Sequence, residues 1–153
     1  MPVNKFTTKP FFIFLLLASM VANADKEFVL DQAFAEHFAD DWIASWNAHD
    51  LNRILSHYTD DFEMASPYIA RRNFSENGVL QGKEAVGKYW STALGSDSKL
   101  KFSLEDVLVS MDSLTLYYRN QNGRSVAEVF HFNASGLVHQ SYAHYSIQKP
   151  NTP

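Results

Sequence analysis

One carboxylate stands in line with apolar neighbours. In SVAEVFHFNASGLVHQSYAHYSI, residues 125–147, strand alternation puts Val126, Phe130 and Phe132 on one face, and Glu128 shares it. Desolvation at such a position raises a carboxyl pKa, whereas a nearby imidazolium lowers it. A hairpin turning at Ala134-Ser135 sets Phe132 opposite Leu137, Phe130 opposite His139 and Glu128 opposite Ser141. Glu128 and His139 are then diagonal neighbours, about 7–8 Å apart. A bulge at Gly136 shifts this register by one and sends His139 to the other face. A neutral Glu128 donating to a ligand carbonyl, with His139 as base, suits enolisation, dehydration or aldol-type cyclisation of a small carbonyl compound. The structural alternative is a Glu128 that pairs with His139, Arg71, Arg72 or Arg124 only to satisfy a buried charge.

Other constellations carry less. GKEAVGKY, residues 82–89, nearly matches a phosphate-binding loop, but Tyr89 replaces the hydroxyl residue and Gly87 and Lys88 lie within the helical stripe of Val86, Tyr89 and Trp90. His37, His49 and His57 are scattered, and His139 and His144 point to opposite sides of their strand, so no metal site is expected. Glu128-x-x-His131 has helical metal spacing on a strand, where its members point apart. Adjacent acids such as Asp60 and Asp61 at a turn read as solvated or capping residues. No serine has a Gly-x-Ser-x-Gly context.

Residues 1–24 form a leader. Lys5 and Lys9 precede an apolar run from Phe11 to about Ala22, and Ala22-Asn23-Ala24 is a small-x-small cleavage pattern. The run is short for a membrane span, so a cut after Ala24 and a secreted or periplasmic product without stable membrane insertion are expected. Residues 25–153 have the size of one domain. The chain has no cysteine, which excludes disulfides and thiolate chemistry and leans toward a bacterial envelope. It carries 13 basic and 17 acidic residues, and two of the basic ones lie in the leader. That balance opposes nucleic-acid binding, which needs Lys and Arg at phosphates. Twelve Phe, seven Tyr and three Trp supply the large flat walls of an apolar pocket.

The elements that must position Glu128 follow from periodicity. Phe34, Phe38, Trp42 and Trp46 recur every four residues, one apolar stripe on a helix from about Gln32 to Ala48. Asp50 caps a short second helix with Leu51, Ile54, Leu55 and Tyr58. Thr59-Asp60-Asp61 turns into a brief strand, Phe62 to Ser66, ended by Pro67. Residues 67–82 read as a loop or lid. A third helix runs from about Lys83 to Leu94, ended by Gly95-Ser96-Asp97-Ser98, and strands are expected near 99–110, 113–120, 124–132 and 137–147. Asn122-Gly123 is a strong hairpin signal. Helices followed by a strand meander make an α+β class: a cone-shaped barrel of three N-terminal helices packed on a curved, mainly antiparallel sheet.

DWIASWNAHDLNRILSHYTDDFEMASP, LQGKEAVGKYW and EVFHFNASGLVHQSYAHY, in this order and spacing, resemble the SnoaL-like branch of the nuclear transport factor 2-like fold across nearly all of residues 30–147. The resemblance implies a cone enclosing an apolar cavity and a homodimer formed through the outer sheet face. Members include ketosteroid isomerase, polyketide cyclases, dehydratases and non-catalytic binding domains, so fold does not decide activity. Ketosteroid isomerase pairs an Asp base with an oxyanion hole of Tyr and a protonated Asp. By motif alignment Ser66 stands at the base position, Trp42 at the tyrosine position and Glu128 at the protonated Asp. The polyketide cyclases of this branch use a carboxylate on the final strand, and residues 137–149 contain none.

The expected site is therefore Glu128 and His139 as acid and base, with Trp42, Trp46, Tyr58, Met64, Ser66, Trp90, Phe130, Ser141 and Tyr145 around a small hydrophobic ligand. No cofactor is implied. A binding domain is favoured over an acid–base lyase or isomerase because the borrowed base positions are empty. A third reading is a dimeric module whose outer face carries Val129, His131, Gln140 and Tyr142.

Overall fold

The computed structural model describes residues 28–96 and 99–147; the expected leader with its expected cut after Ala24, and Asp97-Ser98, lie outside them. Helix α1 spans Gln32–Asn47, and the Asp31 carboxylate caps it by accepting from the Phe34 N–H at 2.8 Å. Its buried stripe is Ala35, Phe38, Ala39, Trp42, Ser45 and Trp46, as the four-residue recurrence requires. Helix α2, Leu51–Leu55, is capped by Asp50 in the same way. It is shorter than expected, because Tyr58 belongs to the next strand.

Strand β1 runs Tyr58–Ala65, four residues earlier than the apolar run suggests. Tyr58 and Phe62 are buried while Asp60 and Asp61 face solvent, and Lys83 pairs with Asp60 at 3.1 Å. The expected loop at 67–82 contains two elements. Helix α3, Pro67–Arg71, starts because Ser66 accepts from the Tyr68 N–H at 3.2 Å and Pro67 has the backbone angle of a first helical residue. Strand β2, Val79–Gln81, pairs antiparallel with β1. Helix α4 extends over Lys83–Ser96, so Gly95 and Ser96 continue it, and it buries Val86, Gly87, Tyr89 and Trp90.

Strands β3 (Ser103–Val109), β4 (Ser113–Arg119), β5 (Ser125–Phe132) and β6 (Val138–Tyr145) complete one six-stranded sheet of order β2-β1-β6-β5-β4-β3. Only the β1–β6 pair is parallel. The helices pack on the face of this curved sheet that carries Leu114, Leu116, Tyr118, Val126, Glu128 and Phe130. The fold is the α+β arrangement expected, with one short helix more.

Among the described residues no helix is long and apolar enough to cross a membrane. None of their His, Asp and Glu side chains form a group of three or more placed to hold a metal ion.

Candidate functional site

Glu128 lies in the middle of β5 and is only 4% exposed. Its neighbours on β4 are Leu116 directly opposite and Tyr118 on the diagonal, and Tyr118 donates its hydroxyl to Glu128 Oε2 at 3.1 Å. Burial pushes the Glu128 carboxyl up to about 7, against the Tyr118 hydrogen bond and the Ser141 hydroxyl, which favour the charged form. Ser141 Oγ is itself fully buried, with no other hydrogen-bond partner among the described residues. No cation contributes to the balance. Glu128 is thus a carboxylic acid over much of the range in which carboxyls are ionised.

The carboxyl faces a cavity of about 230 Å³. A dry cavity of ~150 Å³ accepts benzene, so this one fits a ligand of one or two rings. Trp42, Trp46 and Trp90 form its helical wall, Met64 and Tyr145 its strand wall. Trp46 is 6% exposed and its indole N–H has no hydrogen-bond partner among the described residues. Such an orphan buried donor is costly unless something else accepts from it. The Trp42 N–H, by contrast, donates to the Tyr58 hydroxyl at 2.8 Å and is consumed.

Four other expected residues stand behind the wall rather than in it. Tyr58 and Phe130 are fully buried core, and Ser141 packs beneath Glu128. Ser66 does not line the cavity: its hydroxyl accepts as the α3 cap and favours the charged form of the Tyr89 and Tyr145 hydroxyls. The largest correction concerns His139. The hairpin slips twice. Asn133 pairs with Leu137 rather than Gly136, because Gly136 takes a φ of +75° and closes a three-residue turn. A second irregularity follows, from Phe132 opposite Val138 to His131 opposite Gln140. His139 is the extra residue; it is exposed on the outer face, its ring 6.5 Å from that of His131. Two slips of one residue restore the parity, so Ser141 and Ala143 still turn inward, Ser141 opposite Phe130 and Ala143 opposite Glu128. The Glu128–His139 pair therefore does not form.

Several wall residues were not anticipated. Tyr118 had a signal, since Leu114, Leu116 and Tyr118 alternate on the expected fourth strand. Tyr68, Arg72, Tyr89 and Phe102 also line the cavity, with Asn120 and Asn122 at the turn after β4. Burial raises the hydroxyl pKa of Tyr58, Tyr118, Tyr89 and Tyr145, and the Glu128 charge adds to it in each. None of these phenols is a base at neutral pH. Glu128 is the one group on this face whose protonation changes there.

The model of the SnoaL-like domain family matches residues 39–139. The chain belongs to that family. A SnoaL-like protein of unknown function from Burkholderia thailandensis is 45% identical, with 78% of this chain and 99% of that chain covered and a TM-score of 0.75. A nuclear transport factor 2-like protein of unknown function from Cytophaga hutchinsonii (12% identity, 73% and 89% covered, TM-score 0.58) shares the fold. So does a protein of unknown function with a cystatin-like fold from Methylobium petroleophilum (16% identity, 81% and 83% covered, TM-score 0.63). No curated protein matches.

Proposed function

We propose that the SnoaL-like domain binds a small, largely apolar carbonyl compound in its cone, with the Glu128 carboxylic acid donating a hydrogen bond to the carbonyl oxygen. The observation that carries this is the environment of Glu128: a buried carboxyl with no cation beside it, held near neutrality at about 7, at the wall of an aromatic cavity. Trp46, whose buried indole N–H has no hydrogen-bond partner among the described residues, lines the same cavity. A concave pocket with aromatic walls and a few placed polar groups is the usual form of a small-molecule site.

Titration of the tryptophan fluorescence with butyrophenone tests it. Binding at pH 6 should exceed binding at pH 9, because the donor is lost as Glu128 ionises. Glu128→Leu keeps the wall apolar and should weaken binding at pH 6 by about tenfold, the worth of one good hydrogen bond. Affinity independent of both pH and this substitution overturns the reading.

The position of the pKa near 7 also favours a second reading, an acid–base isomerase or lyase in which Glu128 alone shuttles the proton. Exchange of the ketone's α-protons with deuterated solvent, followed by NMR, distinguishes the two: catalysed exchange abolished by Glu128→Gln indicates an enzyme, and no catalysed exchange indicates a binding domain.

A further inference from the structure

We propose that Arg72 is an anion clamp at the mouth of the cone, and that the ligand is a one- or two-ring carbonyl compound carrying a carboxylate. This rests on the reading that the carbonyl end sits at Glu128. Arg72 follows helix α3 as its C-cap and lines the cavity from an exposed position. Its guanidinium carbon lies 5.9 Å from the Tyr68 ring centre and 6.0 Å from that of Tyr89. Two aromatic faces hold the guanidinium in place by cation–π attraction and leave its N–H fork for a planar acceptor.

No carboxylate among the described residues pairs with Arg72. Among the described residues the ion-paired acids are Asp41, Asp60, Glu84 and Glu105, and each pairs with a cation other than Arg72. Nor does Arg72 serve to neutralise Glu128, whose ionisation is set by burial and two hydroxyls. Arg124, by contrast, is tied down: it donates to the Ser146 carbonyl and, at 3.0 Å, to the Tyr68 hydroxyl, fixing the wall on which Arg72 rests. Asn120 also lines the cavity, its side-chain oxygen held by the Asn122 and Arg124 N–H groups. A bare cation stacked at the entrance of an aromatic cavity, in a chain of net charge −4, is matched by an anionic end on the ligand.

Three probes of one shape separate the ends: 3-benzoylpropionate, its methyl ester, and butyrophenone, titrated at pH 6. There Glu128 is protonated and the free acid is ionised. The acid should bind at least tenfold more tightly than the ester. Arg72→Gln should abolish that preference, Arg72→Lys should restore part of it, and ester affinity should stay within twofold throughout. Arg72 is exposed, so an unchanged melting temperature verifies that the variants fold. Equal binding of acid and ester, or an acid preference surviving Arg72→Gln, overturns the clamp while leaving the carbonyl site standing. Binding of none of the three overturns both.

Discussion

Burial and the Tyr118 hydroxyl act in opposite directions on the Glu128 proton, and burial is the stronger. The place of Glu128 in an apolar alternation is visible in the sequence, and so is its burial, because the strand pattern around it is regular. Its partner was not visible in the same way. Histidine was expected and tyrosine is found, since a cross-strand neighbour depends on a register that side-chain chemistry alone does not set. Tyr118 sits diagonally across β4–β5 and stabilises the charged carboxylate through its hydrogen bond. Tyr118→Phe should therefore raise the Glu128 pKa above about 7, measurable by carbon-13 NMR of the carboxyl, and cost about 1 kcal/mol of stability at pH 8. A pKa that stays or falls in the variant contradicts this account of what holds Glu128. Arg72 had no comparable signal: it lies in a stretch read as loop, and only the helix that Ser66 and Pro67 start brings it to the cavity.

At the scale of elements, α1 and α4 were legible because their stripes recur with one period, and α2 because Asp50 caps it, whereas α3 is too short to show a stripe. The closing hairpin was legible except at its turn. Gly136 at a φ of +75° starts the first slip, and a Cβ there would lie 3.0 Å from two atoms of the Phe28 ring. Gly136→Ala thus meets both a left-handed backbone and a clash, and should cost about 2 kcal/mol, measured by denaturant unfolding. A variant as stable as the parent would show that the turn tolerates a different conformation. His139 is the residue extruded by the second slip, so His139→Ala should change neither the Glu128 titration nor butyrophenone binding. A shift in either would place the imidazole's influence back on the cavity.

For the whole molecule, the buried acid predicts how stability varies with pH. Glu128 titrates near 4.5 when the chain is unfolded and at about 7 when folded. Below the lower value both states are protonated and no penalty arises. As pH rises from there through 7, the unfolded chain releases a proton that the folded one keeps, so stability falls, by about 3 kcal/mol at most. Asp41 acts on the other side of the curve. Arg53 beside it, with His57 at 2.8 Å, lowers its carboxyl pKa, so its contribution is complete above the ordinary aspartate value and is lost as pH falls through the depressed one. The chain should be most stable in the mildly acid range and weaken toward pH 8. Glu128→Gln keeps the shape of the protonated acid and removes the titration. Its melting temperature should lie close to the parent's at pH 5 and above it at pH 8, with the gap opening between those values. Parallel curves for the two proteins would mean that the carboxyl is not held protonated by the fold, and the donor on which carbonyl recognition depends would be absent at neutral pH.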